Sequence, residues 1–452
     1  MQIVFKRLWR SLQELITQPY PVEGATPPQR HGMRMLWLDN LFSAISGGFY
    51  ADFEVLYFLA LGASATLVGM RSSINSALSL LAPLIGAWLV ARTGRRKRWV
   101  LLGGGGIGRL CLLLVVFIPW VIPGPAAPWA YVALIAIQAL VGSLSTPAAN
   151  SLFGDIVPIG VRGRFVGLQM MAANLVRVGI IPLAGWMIKR IGGLAGYQVA
   201  FALAALIGFI ATSFYARIPE PEAPESVKRA DGSRAGFREG FYHFIRDKFF
   251  LFYCLIHFIW NVGIQLSGPF FTVHMVQTLG FQVDTISLLA TISTIVNVIA
   301  VRLAGPLVDR KGPEKVTMVG MLLVPLMPFF WIFARTPFTV GLVRSYGNIA
   351  WAGVHVAAMA LLLRITPARY RAQYIAFFNM VVGLAAILGP LPAGVIYSRY
   401  GFTVNLILST IGRGMGGLMF LGLVLKGAFA RREQEMPETE SALAGGHAFA
   451  KG

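Results

Sequence analysis

The chain has 452 residues, of which 56% are hydrophobic and only 13% are charged. This composition leaves too little polar surface to cover a water-soluble globule, so it predicts an integral membrane protein. The formal net charge of +20 does not predict nucleic acid as a partner, because no basic soluble domain is present to carry it. Two cysteines, Cys111 and Cys254, are too few for the disulfide framework of a secreted protein.

Twelve apolar stretches are long enough to cross a bilayer as α-helices, which satisfy their backbone amides internally where lipid offers no partner. They predict an all-α integral membrane fold with twelve transmembrane helices. Their approximate limits are 36–61, 67–91, 99–122, 129–155, 165–188, 197–216, 249–278, 285–308, 316–334, 338–363, 373–397 and 403–425.

Basic residues are distributed unevenly between the two sides of the membrane. Of the 39 lysines and arginines, 29 fall in loops and termini on one side, and only Lys189, Arg190, Arg335 and Arg399 fall in loops on the other. Because basic loops remain in the cytoplasm, we expect both termini there, in a multi-pass protein of the inner (plasma) membrane.

Polar segments divide the chain into five parts. Residues 1–34 are expected to form a cytoplasmic amphipathic segment, and residues 35–216 an N-terminal six-helix bundle. Residues 217–248, rich in proline, glutamate and basic residues, are interpreted as a cytoplasmic linker. Residues 249–428 are expected to form a C-terminal six-helix bundle, and residues 429–452 a disordered cytoplasmic tail.

The first span carries Asp52 and Glu54, the two acids that lie well inside an apolar stretch. An intramembrane charge costs at least a few kcal/mol, which marks such residues as functional candidates. Two residues apart on one helix, their side chains point roughly 200° apart. Asp52 is therefore expected to have a buried partner such as Arg71 or Arg177, whereas for Glu54 a coupling or substrate site and a structural ion pair are both open. Glu54 belongs to a polar stripe suited to a water-filled cavity, made of Asn40, Ser43, Gly47, Tyr50, Glu54 and Tyr57.

Two glycine strings, GGGGIG at 103–108 and GRGMGG at 412–417, fit the spacing of a dinucleotide-binding loop. That fingerprint requires a preceding strand in a βαβ unit, so we interpret both strings as surfaces for close helix packing, as at Gly104 and Gly108. The sequence has no P-loop, no metal-ligand spacing and no nucleophile paired with a base. We therefore predict no cofactor, no metal site and no enzyme activity.

The seventh span presents a second polar stripe, with His257, Asn261 and Gln265 at helical spacing. Together with the first span, it predicts a central cavity. His257 could titrate near neutrality, and a hydrogen-bonded structural role is the alternative. Arginines within the spans outnumber the deep acids, which slightly favours anionic or phosphate-bearing amphiphiles as solutes. These arginines are Arg71, Arg109, Arg177, Arg302, Arg344 and Arg413.

An internal repeat relates the two halves of the chain. An offset of 218 aligns the loop LVARTGRRKR at 89–98 with GPLVDRKGPEKV at 305–316, placing Gly94 on Gly312, and the same offset places Gly62 on Gly280. A weaker match, at an offset of 209, aligns DIVPIGVRGR from residue 155 with RITPARYRAQ from residue 364. One six-helix unit is therefore predicted to occur twice.

The loop that follows the eighth span has the arrangement G-x-L-x-D-R-x-G. With two six-helix halves and a central linker, this resembles the major facilitator superfamily over about residues 35–428. The residues that match in this loop are Gly305, Leu307, Asp309, Arg310 and Gly312. In the loop after the second span, Leu89, Arg92, Gly94, Arg95 and Arg96 fit, but Ala91 stands where the family usually has Asp.

The resemblance implies a cytoplasmic latch between the halves, in which a carboxylate faces the positive N-terminus of a neighbouring helix. For this chain it implies that Asp309, with Arg310 and the helix starting near Arg164, forms a latch that breaks as the halves rock. Asp155 is expected to replace the acid missing at Ala91 by pairing with Arg95 or Arg162. The gate candidates are Gly94, Arg95, Arg96, Asp155, Arg162, Gly305, Asp309, Arg310, Gly312 and Arg371.

These features predict a secondary transporter that moves a small solute by alternating access. The leading hypothesis is proton-coupled export of amphipathic compounds, with Glu54 exchanging protons and Arg177 or Asp52 tuning it. A second hypothesis is an organic-anion or lipid-like carrier, and a third is a non-transporting membrane protein of the same fold. The arginines that would bind the anion are Arg109, Arg177, Arg344 and Arg413. We expect a small-molecule substrate, the lipid bilayer and protons as partners, and a monomer.

Overall fold

The computed structural model describes residues 20–220, 241–367 and 370–435. In these ranges the chain is helical and contains no β-strand, which confirms the predicted all-α fold. Parts of the predicted amphipathic segment, linker and tail lie outside the described residues, namely 1–19, 221–240 and 436–452.

The described helices are numbered in chain order. Between residues 20 and 220 they are α1 (Pro27–Tyr50), α2 (Glu54–Ala60), α3 (Ala65–Thr93), α4 (Arg96–Val100), α5 (Gly108–Val121), α6 (Ala127–Ile156), α7 (Ile159–Ile191) and α8 (Gly193–Tyr215), with a π-helical segment, Leu101–Ile107, between α4 and α5. From residue 248 they are α9 (Lys248–Ser267), α10 (Phe271–Gln277), α11 (Val283–Lys311), α12 (Pro313–Leu323), α13 (Leu326–Trp331), α14 (Pro337–Ile365), α15 (Arg371–Leu388), α16 (Pro390–Tyr400), α17 (Phe402–Leu425) and α18 (Ala428–Glu435).

Eleven segments of the described chain are long and apolar enough to cross a membrane. They correspond to the second through twelfth predicted spans. The first predicted span coincides with α1 and α2, and α1 falls outside this group because polar residues, among them Arg34, Asp39 and Asn40, lie along its length. With α1 included, the helices account for the twelve predicted spans.

The start of α1 differs from the sequence prediction. The apolar stretch begins at residue 36, but the helix begins at Pro27. Thr26 is the N-cap, its backbone N–H donates to Gln29 Oε1 at 3.0 Å, and proline at the first helical position has no N–H to leave unpaired. The earlier start places Asp39 well inside the helix, whereas the sequence placed it near a helix end.

Four predicted spans are interrupted within their length. Pro269, Pro325 and Pro390 lie at three of these interruptions, where proline removes a backbone N–H from the helical hydrogen-bond ladder. The fourth interruption separates α1 from α2 at residues 51–53 and contains no proline. It falls at Asp52 and therefore bears on the candidate site.

The described helices form two compact units. Unit 1 contains residues 20–63, 78–220 and 282–294, so it includes the first turns of α11. There Lys189 Nζ donates to Asp284 Oδ2 at 2.6 Å, which joins the end of α7 to α11.

Unit 2 contains residues 64–77, 241–281, 295–367 and 370–435, so it includes the first turns of α3. The hydroxyls of Thr66 and Ser398 lie 3.0 Å apart and join α3 to α16. The division into bundles at 35–216 and 249–428 stays a prediction.

The two glycine strings serve helix packing. A Cβ added at Gly103 would lie 2.7 Å from the Val141 carbonyl oxygen, so α6 approaches the π-helical segment at a distance that only glycine allows. A Cβ at Gly412 would lie 3.0 Å from the Cα of Gly263, where α17 crosses α9. The sequence located the first contact at Gly104 and Gly108, but the close approach occurs at Gly103.

The predicted disordered tail begins with ordered residues. Residues 429–435 lie in α18, where Phe429 is buried and packs on Phe249 with ring centroids 5.6 Å apart. Arg432 forms an ion pair with Asp247, the N-cap of α9. An aromatic anchor and a partly buried ion pair therefore order a segment whose composition alone predicts disorder.

Candidate functional site

Asp52 lies in the turn between α1 and α2 and is paired with a base. Arg177 Nη2, from α7, donates to Asp52 Oδ2 at 3.0 Å, and both side chains are about one third exposed. Arg177 is one of the two partners considered from the sequence. The other, Arg71, is buried on α3 in unit 2. The pairing offsets the cost of placing either charge in a membrane-spanning segment.

Glu54 is the first residue of α2, and its side chain is half-buried. Because the helix is interrupted just before it, the 200° separation from Asp52 does not apply, and the predicted polar stripe does not continue past Tyr50. Tyr57 is 0% exposed and donates its hydroxyl to the Val115 carbonyl at 2.9 Å, so it belongs to the core rather than to a cavity. The Tyr50 ring packs edge-on against Phe201.

A cluster on α1 and α5 was missed by the sequence hypotheses as a group. Arg109 donates through Nη2 to Ser43 Oγ at 3.1 Å and through Nη1 to Ser46 Oγ at 3.3 Å. Ser46 in turn donates to the Ala204 carbonyl at 2.7 Å. Asp39 lies one turn before Ser43 on α1, within the electrostatic field of the Arg109 guanidinium.

Asp39 is half-buried, and no hydrogen bond ties its carboxylate to another residue in the described part of the chain. It therefore combines an acid in the middle of a helix, a nearby cation and a carboxylate without a hydrogen bond from the described residues. The sequence signal that could have identified it is the Thr26-Pro27 helix start, because this start places Asp39 deep in α1.

Arg413 is the most deeply buried of the intramembrane arginines considered, at 2% exposure. Its Nη2 donates to Ser267 Oγ at 2.8 Å and to the Ile264 carbonyl at 3.4 Å, joining α17 to α9. Ser267 also lies 2.9 Å from Ser409, whose hydroxyl donates to the Gly263 carbonyl at 2.6 Å. This cation is held by neutral groups inside the helix packing of unit 2 and is closed to a solute in this arrangement.

His257 lies in an aromatic core rather than on a cavity wall. It is 5% exposed, and its ring centroid lies 4.5 Å from that of Tyr253 and 5.0 Å from that of Phe378. Asn261 donates to the His257 carbonyl at 2.8 Å, so its amide is used within α9. Gln265 is half-buried one turn further on.

Arg344 is half-buried on α14, and its Nη1 lies 3.9 Å from the Met275 sulfur of α10. A thioether is a weak acceptor, so this contact is a weak one. Among the arginines of unit 2 that the sequence singled out for binding, Arg344 is thus more accessible than Arg413.

The loop after α3 is held by an ion pair that differs from the one expected. Gly94 has a φ of +66°, and the turn it makes lets α4 begin at Arg96, which is 2% exposed. Arg96 forms an ion pair with Asp155 at the end of α6 and donates to Ser151 Oγ at 3.0 Å. The expectation that Asp155 pairs with Arg95 or Arg162 is wrong, because Arg96 occupies its carboxylate.

Arg162 instead caps the end of α6. Its Nη2 donates to the Gly154 carbonyl at 2.6 Å and to the Val157 carbonyl at 3.1 Å, where the helix leaves carbonyl groups unpaired. The helix that follows, α7, begins at Ile159 rather than near Arg164. Arg95 is exposed at the N-cap of α4.

The loop after α11 contains an equivalent ion pair of reversed polarity. Arg364 Nη1 donates to Glu314 Oε2 at 2.6 Å, joining α14 to α12. At the offset of 218 Arg96 aligns with Glu314, and at the offset of 209 Asp155 aligns with Arg364. Applying both offsets to the charged residues would have identified this pair from the sequence.

The remaining gate candidates lie at helix ends. Asp309 and Arg310 are exposed in the last turn of α11, Gly305 precedes them by about one turn, and Gly312 has a φ of +82° at the start of α12. Arg371 is the first residue of α15. In the described ranges, no group of three or more His, Cys, Asp or Glu side chains has the arrangement of a metal site.

A family model described as Major Facilitator Superfamily matches residues 39–264 and 253–450. The multidrug resistance protein MdtG of Citrobacter koseri is 23% identical over 382 residues, which cover 82% of this chain and 90% of that protein. MdtG of Escherichia coli O9:H4 is 24% identical over 393 residues, which cover 84% of this chain and 92% of that protein.

Solved transporter structures share the fold. A crystal structure of a mutant of the nucleoside transporter NupG aligns with a TM-score of 0.67 and 15% identity, covering 88% of this chain and 99% of that one. A crystal structure of a D-xylose-proton symporter aligns with a TM-score of 0.62 and 15% identity, covering 87% of this chain and 95% of that one.

Proposed function

The chain belongs to the major facilitator superfamily and is a multi-pass membrane transporter of small molecules, and from this premise we propose that it exports amphipathic compounds in exchange for protons. The name multidrug resistance protein, carried by relatives that match along most of their length, supports export and a broad substrate class. We further propose alternating access, both termini in the cytoplasm, the inner (plasma) membrane as location and a monomer as the working form.

The observation that carries proton coupling is the Asp39 carboxylate. It lies near the middle of α1, half-buried and without a hydrogen bond from the described residues, within the field of Arg109, which donates to Ser43 and Ser46. An acid that no hydrogen bond ties to the described residues can exchange its proton as alternating access changes its contact with water. Glu54 stays a second proposal for the same role, and Asp52 is the less suited because it is paired with Arg177.

Proton flux in proteoliposomes containing a pH-sensitive dye tests this proposal. Lipophilic cations and organic anions are offered separately to the wild type, Asp39→Asn, Glu54→Gln and Asp52→Asn. We expect substrate-dependent proton flux in the wild type and its loss in Asp39→Asn, with downhill substrate exchange retained. Glu23→Gln, which removes an exposed carboxylate near the start of the described chain, is the matched control and should keep the flux.

The variants separate the two coupling candidates. Loss of flux in Glu54→Gln with retention in Asp39→Asn would assign coupling to Glu54 and contradict the Asp39 assignment. Substrate transport with no proton movement in the wild type would contradict proton coupling altogether.

An organic-anion carrier is the second candidate function. Arg344, which is half-buried, is better placed to bind the anion than the buried Arg413. In that case uptake of organic anions proceeds without proton flux. It should fall in Arg344→Gln and remain in Arg335→Gln, a matched removal of a basic side chain at the loop before α14.

A further inference from the structure

A long apolar groove lies on unit 2 between α11, α12 and α14, with a volume of about 770 Å³. Its floor consists of small residues, and Ala300, Ala304 and Ala350 on it are buried. A Cβ added at Gly320 would lie 3.3 Å from the Ala350 carbonyl oxygen, so α12 and α14 meet closely at the base. Because these side chains are small, the helices pack closely at the base of the groove, and the volume above the base stays unfilled by side chains.

The walls of the groove are large, exposed and apolar. Leu303 on α11 is 68% exposed, and Leu307, Val319 and Ile349 extend the surface across the three helices. All three helices belong to membrane-spanning segments, so this surface is suited to acyl chains rather than to water.

One end of the groove is basic. Lys311 is the last residue of α11, Lys315 lies in the first turn of α12, and both are exposed and line the groove. The Glu314 carboxylate between them is engaged by Arg364 at 2.6 Å. Asp309 is outside the groove lining and is followed directly by Arg310, so the end of the groove keeps a positive charge.

The length of the groove matches one leaflet of a bilayer. From Lys311 to Val296, α11 rises roughly 22 Å at about 1.5 Å per residue. Half of a bilayer including its headgroup region is also roughly 20–22 Å. The lysines therefore lie at headgroup depth when the apolar part of the groove lies at acyl-chain depth.

We propose that this groove binds one phospholipid with an anionic headgroup. The acyl chains lie against the alanine floor and leucine walls, and the phosphate is held between Lys311 and Lys315. Charge complementarity determines the class of ligand: a cationic amphiphile meets two like charges, and a zwitterionic lipid adds a cation that the lysines repel. The site is separate from the Asp39 cluster and does not depend on the direction or coupling of transport.

Native mass spectrometry of the purified full-length chain in nonionic detergent tests the proposal. The protein is titrated with dioleoyl-phosphatidylglycerol, dioleoyl-phosphatidylcholine and, separately, glycerol 1-phosphate. We expect one phosphatidylglycerol per chain, and binding weaker on the order of tenfold in the double variant Lys311→Gln/Lys315→Gln. The matched control Lys248→Gln/Lys426→Gln removes two exposed lysines of unit 2 outside the groove and should bind like the wild type.

A second variant tests the acyl part of the site. Ala304→Phe fills the floor, and in a sample whose thermal unfolding matches the wild type it should lose phosphatidylglycerol although both lysines remain. Equal binding of phosphatidylglycerol and phosphatidylcholine, or unchanged binding in the double lysine variant or in folded Ala304→Phe, would overturn the proposal. Displacement of the lipid by glycerol 1-phosphate at equal concentration would also overturn it, because it would identify a site for a small anion.

Discussion

Four ionisable residues of the described chain show how differently such groups can be placed. Asp52 and Arg177 offset each other in a half-buried pair, Arg413 is buried among neutral acceptors, and Asp39 has a nearby cation but no hydrogen bond from the described residues. Protonating a paired acid would leave its basic partner without that counter-charge, which opposes the change. Asp39 has no such pair in the described residues, which is why we propose it as the stronger coupling candidate.

The Arg96–Asp155 pair permits a direct test of pairing. Arg96 is buried, so Asp155→Ala removes a counter-charge from a desolvated cation, and we expect the free energy of unfolding to fall by about 2–3 kcal/mol. Because Glu314 and Arg364 form the equivalent pair with reversed polarity, Arg96→Glu combined with Asp155→Arg should recover most of that loss. Unfolding in mixed micelles with increasing SDS measures both values.

A matched pair serves as the control for this experiment. Lys189 and Asp284 are each about half exposed, so Asp284→Ala should cost less than about 1 kcal/mol. If the charge-reversed Arg96/Asp155 variant is no more stable than Asp155→Ala, the residues do not act as a pair.

At the scale of helices and turns, glycine carries two different roles within one motif. Gly312 turns the chain between α11 and α12 at a φ of +82°, a conformation that is strained for any residue with a Cβ. Gly305 lies inside α11, and a Cβ added there would meet no atom of the described residues within 4 Å. Glycine is therefore required for stability at position 312, whereas at position 305 another small residue can replace it without loss of stability.

Alanine substitution should separate these two roles. We expect Gly312→Ala to lower the free energy of unfolding by about 1–2 kcal/mol, because alanine must adopt a left-handed conformation. Gly305→Ala should leave it unchanged or raise it by about 0.5–1 kcal/mol, because alanine favours the helix. Thermal unfolding of the two purified variants measures both changes. Equal destabilisation by both would show that the left-handed conformation at position 312 does not cause the loss of stability.

The sequence predicted the helices from apolarity, and its errors have physical causes. Apolar periodicity located the spans, but it missed the start of α1, where capping by Thr26 extends the helix through polar residues. It treated Asp52 and Glu54 as parts of one helix because no proline marks the break between them. It assigned Asp155 to Arg95 or Arg162 because spacing along the chain does not show which arginine the turn at Gly94 directs inward.

For the whole molecule, the repeat detected in the sequence reappears as repeated backbone geometry. The glycines aligned at an offset of 218, Gly94 and Gly312, both have positive φ values, and so do Gly192 and Gly401, which are aligned at 209. The same turns are thus made in both halves, although the ion pair beside them has reversed charge. Repetition of the fold needs the turn geometry and a complementary pair, not the identity of the residue that carries each charge.

The proposed latch assigns to the motif after α11 control of the balance between the inward-open state and the state that is shut on the cytoplasmic side. We propose that Asp309 faces the positive N-terminus of α7 when the cytoplasmic side is shut, with Arg310 contributing. Asp309→Asn removes the charge but keeps the size, so it should shift the population toward the inward-open state. If the latch contributes about 1 kcal/mol, cytoplasmic exposure of the first turn of α7 should rise about fivefold.

A cysteine reporter at Gly160 measures that exposure in the whole protein. Gly160 is exposed in the first turn of α7, and the two native cysteines are buried and can be replaced by alanine. The rate of labelling by a membrane-impermeant maleimide from the cytoplasmic side should rise in Asp309→Asn and stay at its original value in Glu23→Gln. An unchanged rate in Asp309→Asn would show that the motif carboxylate does not hold the cytoplasmic side shut, and the exposed Asp309 and Arg310 would then act as ordinary charged residues at the end of a span.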